Sequence, residues 1–228
     1  MLLTIDNVLN QDELVAARQW LDAADWSDGL ATAGAQAGQV KNNLQLGEGS
    51  KGLAELRQCV LQALGRSALF FTATLPLRIA PPGFNRYSGI TNAYGMHADS
   101  AMRMEPGQPG AYLRSDISAT LFLTEPQDYE GGVLTIHDTF GQHGIKLKAG
   151  SLVVYPSSSL HSVSPVTRGA RTSCFMFIQS MVRDAGQRRI LYDMDMALLC
   201  LRSQYGETQP VVALTSTYQN LLRCWAEN

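Results

Sequence analysis

From about Leu77 onward the chain breaks into short apolar runs separated by Gly, Pro, Asn or Asp, and this rhythm limits the fold more than any other feature. Residues 84–87, 94–99, 117–123, 133–137, 144–147, 152–155, 161–164 and 173–181 each have the length and composition of an ordinary strand. Gly131-Gly132 is a turn signal ahead of Val133. Many short strands with such punctuation predict two facing sheets closed into a jelly roll.

Helical patterns flank this region. Asn10, three positions before Glu13, has the form of a capping box, and Leu14, Ala17 and Leu21 then repeat on one helical face. Leu53, Leu56, Val60 and Leu64 mark a second helix, while residues 29–49, rich in Gly and polar residues, predict turns and short extended pieces. Toward the end, Ile190, Leu191, Met194, Leu198 and Leu201 share a predicted apolar face before Gly206. Pro210 then opens a helix carrying Val211, Leu214, Leu221 and Trp225. Such stripes pack against a core or form a homodimer contact, and the sequence leaves both open. The division expected is an N-terminal helical buttress over 1–77, a β-rich catalytic core over 78–181 and a C-terminal helical extension over 182–228, an α+β chain overall.

With 228 residues, 45% of them hydrophobic, the chain can bury a substantial core. A net charge of −2 and a pI near 6.1 argue against a dedicated nucleic-acid binder, whose affinity depends on neutralising phosphates. No stretch approaches the roughly 20 apolar residues that span a bilayer, and the first residues lack the basic and apolar regions of a secretion signal. The expectation is a cytoplasmic protein with no membrane partner. Cys59, Cys174, Cys200 and Cys224 are scattered and read as reduced thiols, with Cys59 and Cys200 inside apolar helical patterns.

The chemistry centres on His97-Ala98-Asp99. Alternate side chains of an extended strand share a face, so an imidazole and a carboxylate can stand side by side there. His161, from another strand, completes three ligands. Two neutral nitrogens and one carboxylate on one face, with other positions open, suit non-haem Fe(II). A lone His-x-Asp pair is weak, but the chain has only four histidines. His137, in a strand-like run, and His143, after Gly141-Gln142 in a predicted turn, read as structural or solvent-facing. Arg171, ten residues past His161, offers a guanidinium fork for the far carboxylate of an acidic cosubstrate. Arg168 is the less favoured alternative. Tyr94 lines the pocket or packs in the core. The segment 100–114, with Met102, Arg103, Met104, Pro106, Gly107, Pro109 and Gly110, reads equally as a mobile pocket wall and as an ordinary long loop.

Tyr87, His97, Asp99, His161 and Arg171 resemble the pattern of prolyl-4-hydroxylase-type oxygenases. Lys41-Asn-Asn-Leu44, Ser118-Ala-Thr-Leu-Phe-Leu123, Tyr155-Pro-Ser-Ser-Ser-Leu-His161, Pro165-Val-Thr-Arg-Gly-Ala-Arg171 and Gln179-Ser-Met-Val-Arg-Asp184 are similar to bacterial PKHD-type hydroxylases. The resemblance covers nearly the whole chain. It implies a distorted double-stranded β-helix, and an Fe(II)- and 2-oxoglutarate-dependent dioxygenase that uses O2, releases succinate and CO2, and hydroxylates a C–H bond. It also implies that Tyr87 joins Arg171 on the distal carboxylate of 2-oxoglutarate, that L-ascorbate sustains turnover, and that the activity is linked to iron uptake. The substrate expected is an amino-acid side chain in a protein or peptide, or a related small metabolite. A non-catalytic metal and 2-oxoglutarate sensor is the alternative. A nucleic-acid demethylase is disfavoured by the acidic balance and the missing later arginine cluster, and a halogenase by the presence of Asp99.

Overall fold

The computed structural model describes residues 1–32, 35–105, 108 and 110–227. Two antiparallel sheets face each other, as the strand rhythm predicts. The larger runs in the order Leu3–Ile5, Leu152–Pro156, Ile117–Phe122, Val166–Ser180, Gly83–Ser88, Leu44–Leu46, Trp26–Asp28. The long strand Val166–Ser180 also pairs with Tyr129–Gly131 and Pro76–Ile79. The smaller sheet runs Gly141–Ile145, Leu134–Asp138, His161–Val163, Ala93–His97, Lys41–Asn42.

Period-2 alternation divides each strand of the larger sheet between two environments. Along Val166–Ser180, Cys174, Met176 and Ile178 join a core cluster on the helical side, whereas Arg171, Ser173, Phe175 and Phe177 line a cavity between the sheets. Ile117–Phe122 is buried at every position, with Ile117, Ala119 and Leu121 in the helix-side cluster and Phe122 in the cluster between the sheets. That inter-sheet cluster contains Tyr87, Tyr129, Leu134, Ile136, Val153 and Val163.

The outer layer is helical. Gln11–Asp22 starts with the anticipated reciprocal cap: Glu13 N donates to Asn10 Oδ1 at 3.0 Å, and Asn10 N donates to Glu13 Oε2 at 2.9 Å. Its Leu14, Ala17 and Leu21 pack with Leu53, Leu56, Val60 and Leu64 of Leu53–Arg66 against the larger sheet. The segment expected to be a helical buttress also supplies Leu3–Ile5, Trp26–Asp28 and Leu44–Leu46 to one sheet and Lys41–Asn42 to the other. These strands were beyond periodicity because two or three residues are too few to show an alternation.

Several local expectations need correction. Ile190 and Leu214 do not lie on the buried faces of Ala185–Tyr205 and Gln209–Trp225; both are exposed. The third core cluster uses Leu191, Leu198, Val211 and Tyr218 against Leu75 and Val182. Residues seven apart lie almost in line on a helix, while Ile190 is turned about 100° from Leu191. Cys200 is likewise exposed, on the side of its helix away from Leu198. His143 sits in the strand Gly141–Ile145 and not in a turn. Finally, the segment 100–114 is not an unstructured loop. Met102–Met104 pairs with Tyr112–Arg114 as a two-stranded hairpin; Pro106, Gly107 and Pro109 lie outside the described residues.

Candidate active site

The strand Ala93–His97 ends at the pair that aligns the two histidines. His161 lies directly opposite His97 in the register of the smaller sheet, and among the described residues no partner strand continues alongside residues 98 and 99. Asp99 is therefore beyond the strand end rather than inside it, contrary to the expectation of an extended 94–99. Its carboxylate nonetheless turns to the same place. Ser118 Oγ, on the facing sheet, donates to Asp99 Oδ2 at 2.6 Å, and Ser118 Oγ is 2.8 Å from Ser157 Oγ.

One ligand atom each from His97, Asp99 and His161 lies within 4.8 Å of the others. The ring orientations are fixed from behind. His97 Nδ1 is 2.8 Å from the Gly95 carbonyl and His161 Nδ1 is 3.0 Å from the Ser159 carbonyl, which makes both Nδ1 atoms donors and leaves each Nε2 as the lone-pair nitrogen. His161 Nε2 is 3.6 Å from Asp99 Oδ2. Tyr94 stacks on His97 with ring centroids 3.6 Å apart, and the edge of Tyr155 meets His161 at 5.1 Å. Burial, reinforced by the neighbouring His161, depresses the pKa of His97 to about 4, so its imidazole is neutral near pH 7. Two imidazoles and one carboxylate, converging on one point, have the donor chemistry of a divalent-metal site with room for further ligands.

The same cavity, about 110 Å³, extends to Arg171. This guanidinium is 1% exposed and sits 5.0 Å from the Phe122 ring and 5.3 Å from the Tyr87 ring. Its position follows from register: Arg171 pairs with Tyr87 and Ser173 with Asn85 across adjacent strands. Arg171 Nη1 donates to Ser173 Oγ at 2.8 Å, Ser173 Oγ donates to Asn85 Oδ1, and Asn85 Nδ2 donates weakly to Tyr87 Oη at 3.4 Å. Arg171 Nε is buried with no hydrogen-bond partner among the described residues. A buried guanidinium with an unsatisfied N–H fits an acceptor arriving from outside the chain, such as a carboxylate. Burial raises the pKa of Tyr87, with Arg171 opposing, so its hydroxyl stays protonated and able to donate.

All five predicted residues thus line one cavity. Arg168 does not: it is an exposed surface residue whose Nε donates to Glu130 Oε1 at 2.8 Å. Nor does His143, whose Nε2 faces Asp138 Oδ2 at 3.1 Å. Tyr94 lines the cavity and also packs on His97. Ser118, Ser157 and Lys41 were not anticipated as site residues, whereas Arg103, read as part of a pocket wall or a long loop, does line the cavity. The serines give no signal until the facing sheet brings them to Asp99.

Comparison with known proteins agrees with this geometry. Residues 82–179 match the 2OG-Fe(II) oxygenase superfamily, and residues 185–227 match the PKHD-type hydroxylase C-terminal domain. A PKHD-type hydroxylase of Nitrosomonas europaea is 64% identical over 228 residues, covering 100% of both chains. The chain belongs to the PKHD-type hydroxylases. As a PKHD-type hydroxylase it is a 2OG-Fe(II) oxygenase, and its fold is that of the family's jelly roll. A prolyl hydroxylase from Trichoplax adhaerens, solved with a peptide of hypoxia inducible factor, superposes with a TM-score of 0.54 at 14% identity, covering 83% of this chain and 86% of that one. A Pseudomonas putida prolyl-4-hydroxylase gives 0.50 at 21% identity, covering 78% and 92%. At these identities the likeness is one of fold.

Proposed function

We propose that this PKHD-type hydroxylase holds Fe(II) through His97, Asp99 and His161, holds the distal carboxylate of 2-oxoglutarate through Arg171 and Tyr87, and hydroxylates a C–H bond of an amino-acid side chain in a protein or peptide, or of a related small metabolite. The observation that carries this reading is the pairing, in one cavity, of a three-donor cluster within 4.8 Å with a buried Arg171 whose Nε has no partner. When bound, the iron would activate O2 with 2-oxoglutarate as the two-electron reductant, releasing succinate and CO2. The chain's own residues do the positioning. The Gly95 and Ser159 carbonyls fix the two imidazoles, the Ser118 hydroxyl fixes one oxygen of Asp99, and Tyr94 closes one side of His97. Burial of Arg171 between Tyr87 and Phe122 gives its charge a low-dielectric setting in which a carboxylate is held more strongly than in water.

A cytoplasmic location belongs to the same proposal and rests on the sequence reading above, whereas a stimulating role for ascorbate and a link to iron uptake rest on the family likeness. Among the described residues no helix is long and apolar enough to cross a membrane.

The test is succinate formation from 2-oxoglutarate by iron-loaded protein in the presence of O2, followed by mass spectrometry without any prime substrate. Slow, oxygen-dependent succinate release that disappears in Asp99→Ala is expected. Absence of succinate from protein shown to bind both iron and 2-oxoglutarate, with or without candidate peptides, would leave a binding module and overturn the enzyme assignment.

A further inference from the structure

Asp99 lies past the end of the strand Ala93–His97, so its carboxylate is aimed by side-chain partners and not by the backbone ladder. Its two oxygens meet different neighbours. Oδ2 accepts from Ser118 Oγ at 2.6 Å and faces His161 Nε2 at 3.6 Å, which makes it the oxygen that joins the three-donor cluster. A carboxylate oxygen has two lone pairs, enough for the Ser118 hydroxyl and a metal together. Oδ1 faces Arg103 Nη2 at 3.5 Å.

Arg103 is held for this contact from two sides. Its Cζ lies 3.2 Å from the centre of the Phe177 ring, which sets the guanidinium plane. Its strand, Met102–Met104, pairs with Tyr112–Arg114, and Ser115 N closes the base of that hairpin by donating to Ala101 O at 2.8 Å. Arg78 then ties the hairpin to the larger sheet. Its guanidinium donates to the Glu105 carboxylate, to the Tyr112 carbonyl at 3.1 Å and to Gln179 Oε1 on the long strand at 2.6 Å. Among the described residues Asp99 is the only carboxylate paired with Arg103, and Arg103 Nε is buried with no hydrogen-bond partner. The two side chains are 28% and 10% exposed, so water and salt screen this pair less than they screen a surface ion pair.

The pairing matters because a carboxylate can offer a metal one oxygen or both. Three protein donors leave positions open for other ligands only while Asp99 contributes a single oxygen. If both oxygens bind, one more position is filled, and the room that 2-oxoglutarate and O2 require is reduced. A guanidinium facing Oδ1 opposes that second bond, since the same oxygen cannot turn to the metal without giving up its ion pair.

We infer that Arg103 is a positioning residue for the metal: by pairing with Oδ1 it keeps Asp99 a one-oxygen ligand. The hairpin of Met102–Met104 and Tyr112–Arg114 is then part of the iron site's support as well as a wall of the cavity. This inference rests on the reading of His97, Asp99 and His161 as the metal ligands.

The experiment is infrared difference spectroscopy between Mn(II)-loaded and metal-free full-length protein, without 2-oxoglutarate, with aspartate carrying carbon-13 in its side-chain carboxylate. An aspartate that takes up the metal changes its bands on loading, and the label separates it from glutamate. The gap between the antisymmetric and symmetric carboxylate stretches is wider than in free aspartate for a one-oxygen ligand and narrower for a two-oxygen ligand. Wild-type protein should show the wide gap. Arg103→Met, whose side chain still covers Phe177 but carries no charge, should bind Mn(II) and show the narrow gap. Arg103→Gln removes the charge with a different side chain and should do the same, so either folded variant decides the matter. If wild-type protein does not bind Mn(II), the functional reading fails. A narrow gap in the wild type, or a wide gap kept in a folded charge-free variant, overturns this inference alone. So does loss of Mn(II) binding in those folded variants, because Arg103 would then be needed for Asp99 to bind at all.

Discussion

Replacing Arg171 by Leu isolates the cosubstrate anchor from the metal. The guanidinium is 1% exposed, is braced by Ser173 Oγ at 2.8 Å and lies against two aromatic rings, so leucine, similar in volume though shorter, replaces it without leaving a buried charge. Exchange of a buried charged group for an apolar one is often close to neutral for stability. Binding should change far more. Loss of one charged hydrogen bond costs about 1.5–3 kcal/mol, which is a roughly 10- to 150-fold loss of 2-oxoglutarate affinity, and loss of a bidentate contact moves the result to the upper end. Arg171→Lys should fall between, because it keeps charge but loses the fork. Calorimetry on oxygen-free, Fe(II)-loaded protein measures the change, with iron affinity and thermal midpoint as controls. Wild-type affinity for 2-oxoglutarate in Arg171→Leu would refute the assignment of this residue.

Ser118→Ala removes the hydroxyl that donates to Asp99 Oδ2 at 2.6 Å, and supporting contacts of this kind are worth about 10- to 100-fold in metal affinity; titration with Fe(II) or Mn(II) should show a loss in that range. Gly132→Ala should weaken 2-oxoglutarate binding while sparing metal, because at φ +62° a Cβ would come within 3.0 Å of Arg171 Cδ and 2.9 Å of Tyr129 and Val166; parallel titrations of both ligands check this. The metal-free protein should lose stability in acid. His97 has a folded pKa of about 4 against about 6.5 unfolded, so the unfolded chain takes up the proton first. Its contribution, at most ~3 kcal/mol, is present above pH 6.5 and is lost as pH falls toward 4. Urea unfolding between pH 7 and 4 should flatten in His97→Gln, and an unchanged pH slope in that variant would contradict the assignment.

The sequence revealed those parts that rest on local repetition. The Asn10 and Glu13 cap and the spacing of Leu53, Leu56, Val60 and Leu64 are determined within a few residues, and both appear as read. The His97-x-Asp99 spacing and the Arg171 offset were visible for the same reason, although Asp99 proved to lie past its strand and to depend on Ser118 from the opposite sheet. Contacts made by pairing between distant strands were not visible. The network joining Arg171 to Ser173 and Asn85 exists only once Val166–Ser180 is registered on Gly83–Ser88. Lys41 enters the cavity on a two-residue edge strand, and Arg103 on a three-residue strand whose alternation is inverted, with the methionines exposed and the arginine half-buried.

The central claim, that His97, Asp99 and His161 together hold the iron, is tested most directly by anaerobic Fe(II) titration of the wild-type protein beside His97→Ala, Asp99→Ala and His161→Ala, each first shown by circular dichroism to be folded. One tightly bound Fe(II) per wild-type chain, and loss of tight binding in every folded variant, is the predicted result. Undiminished iron affinity in the three folded variants would contradict the account.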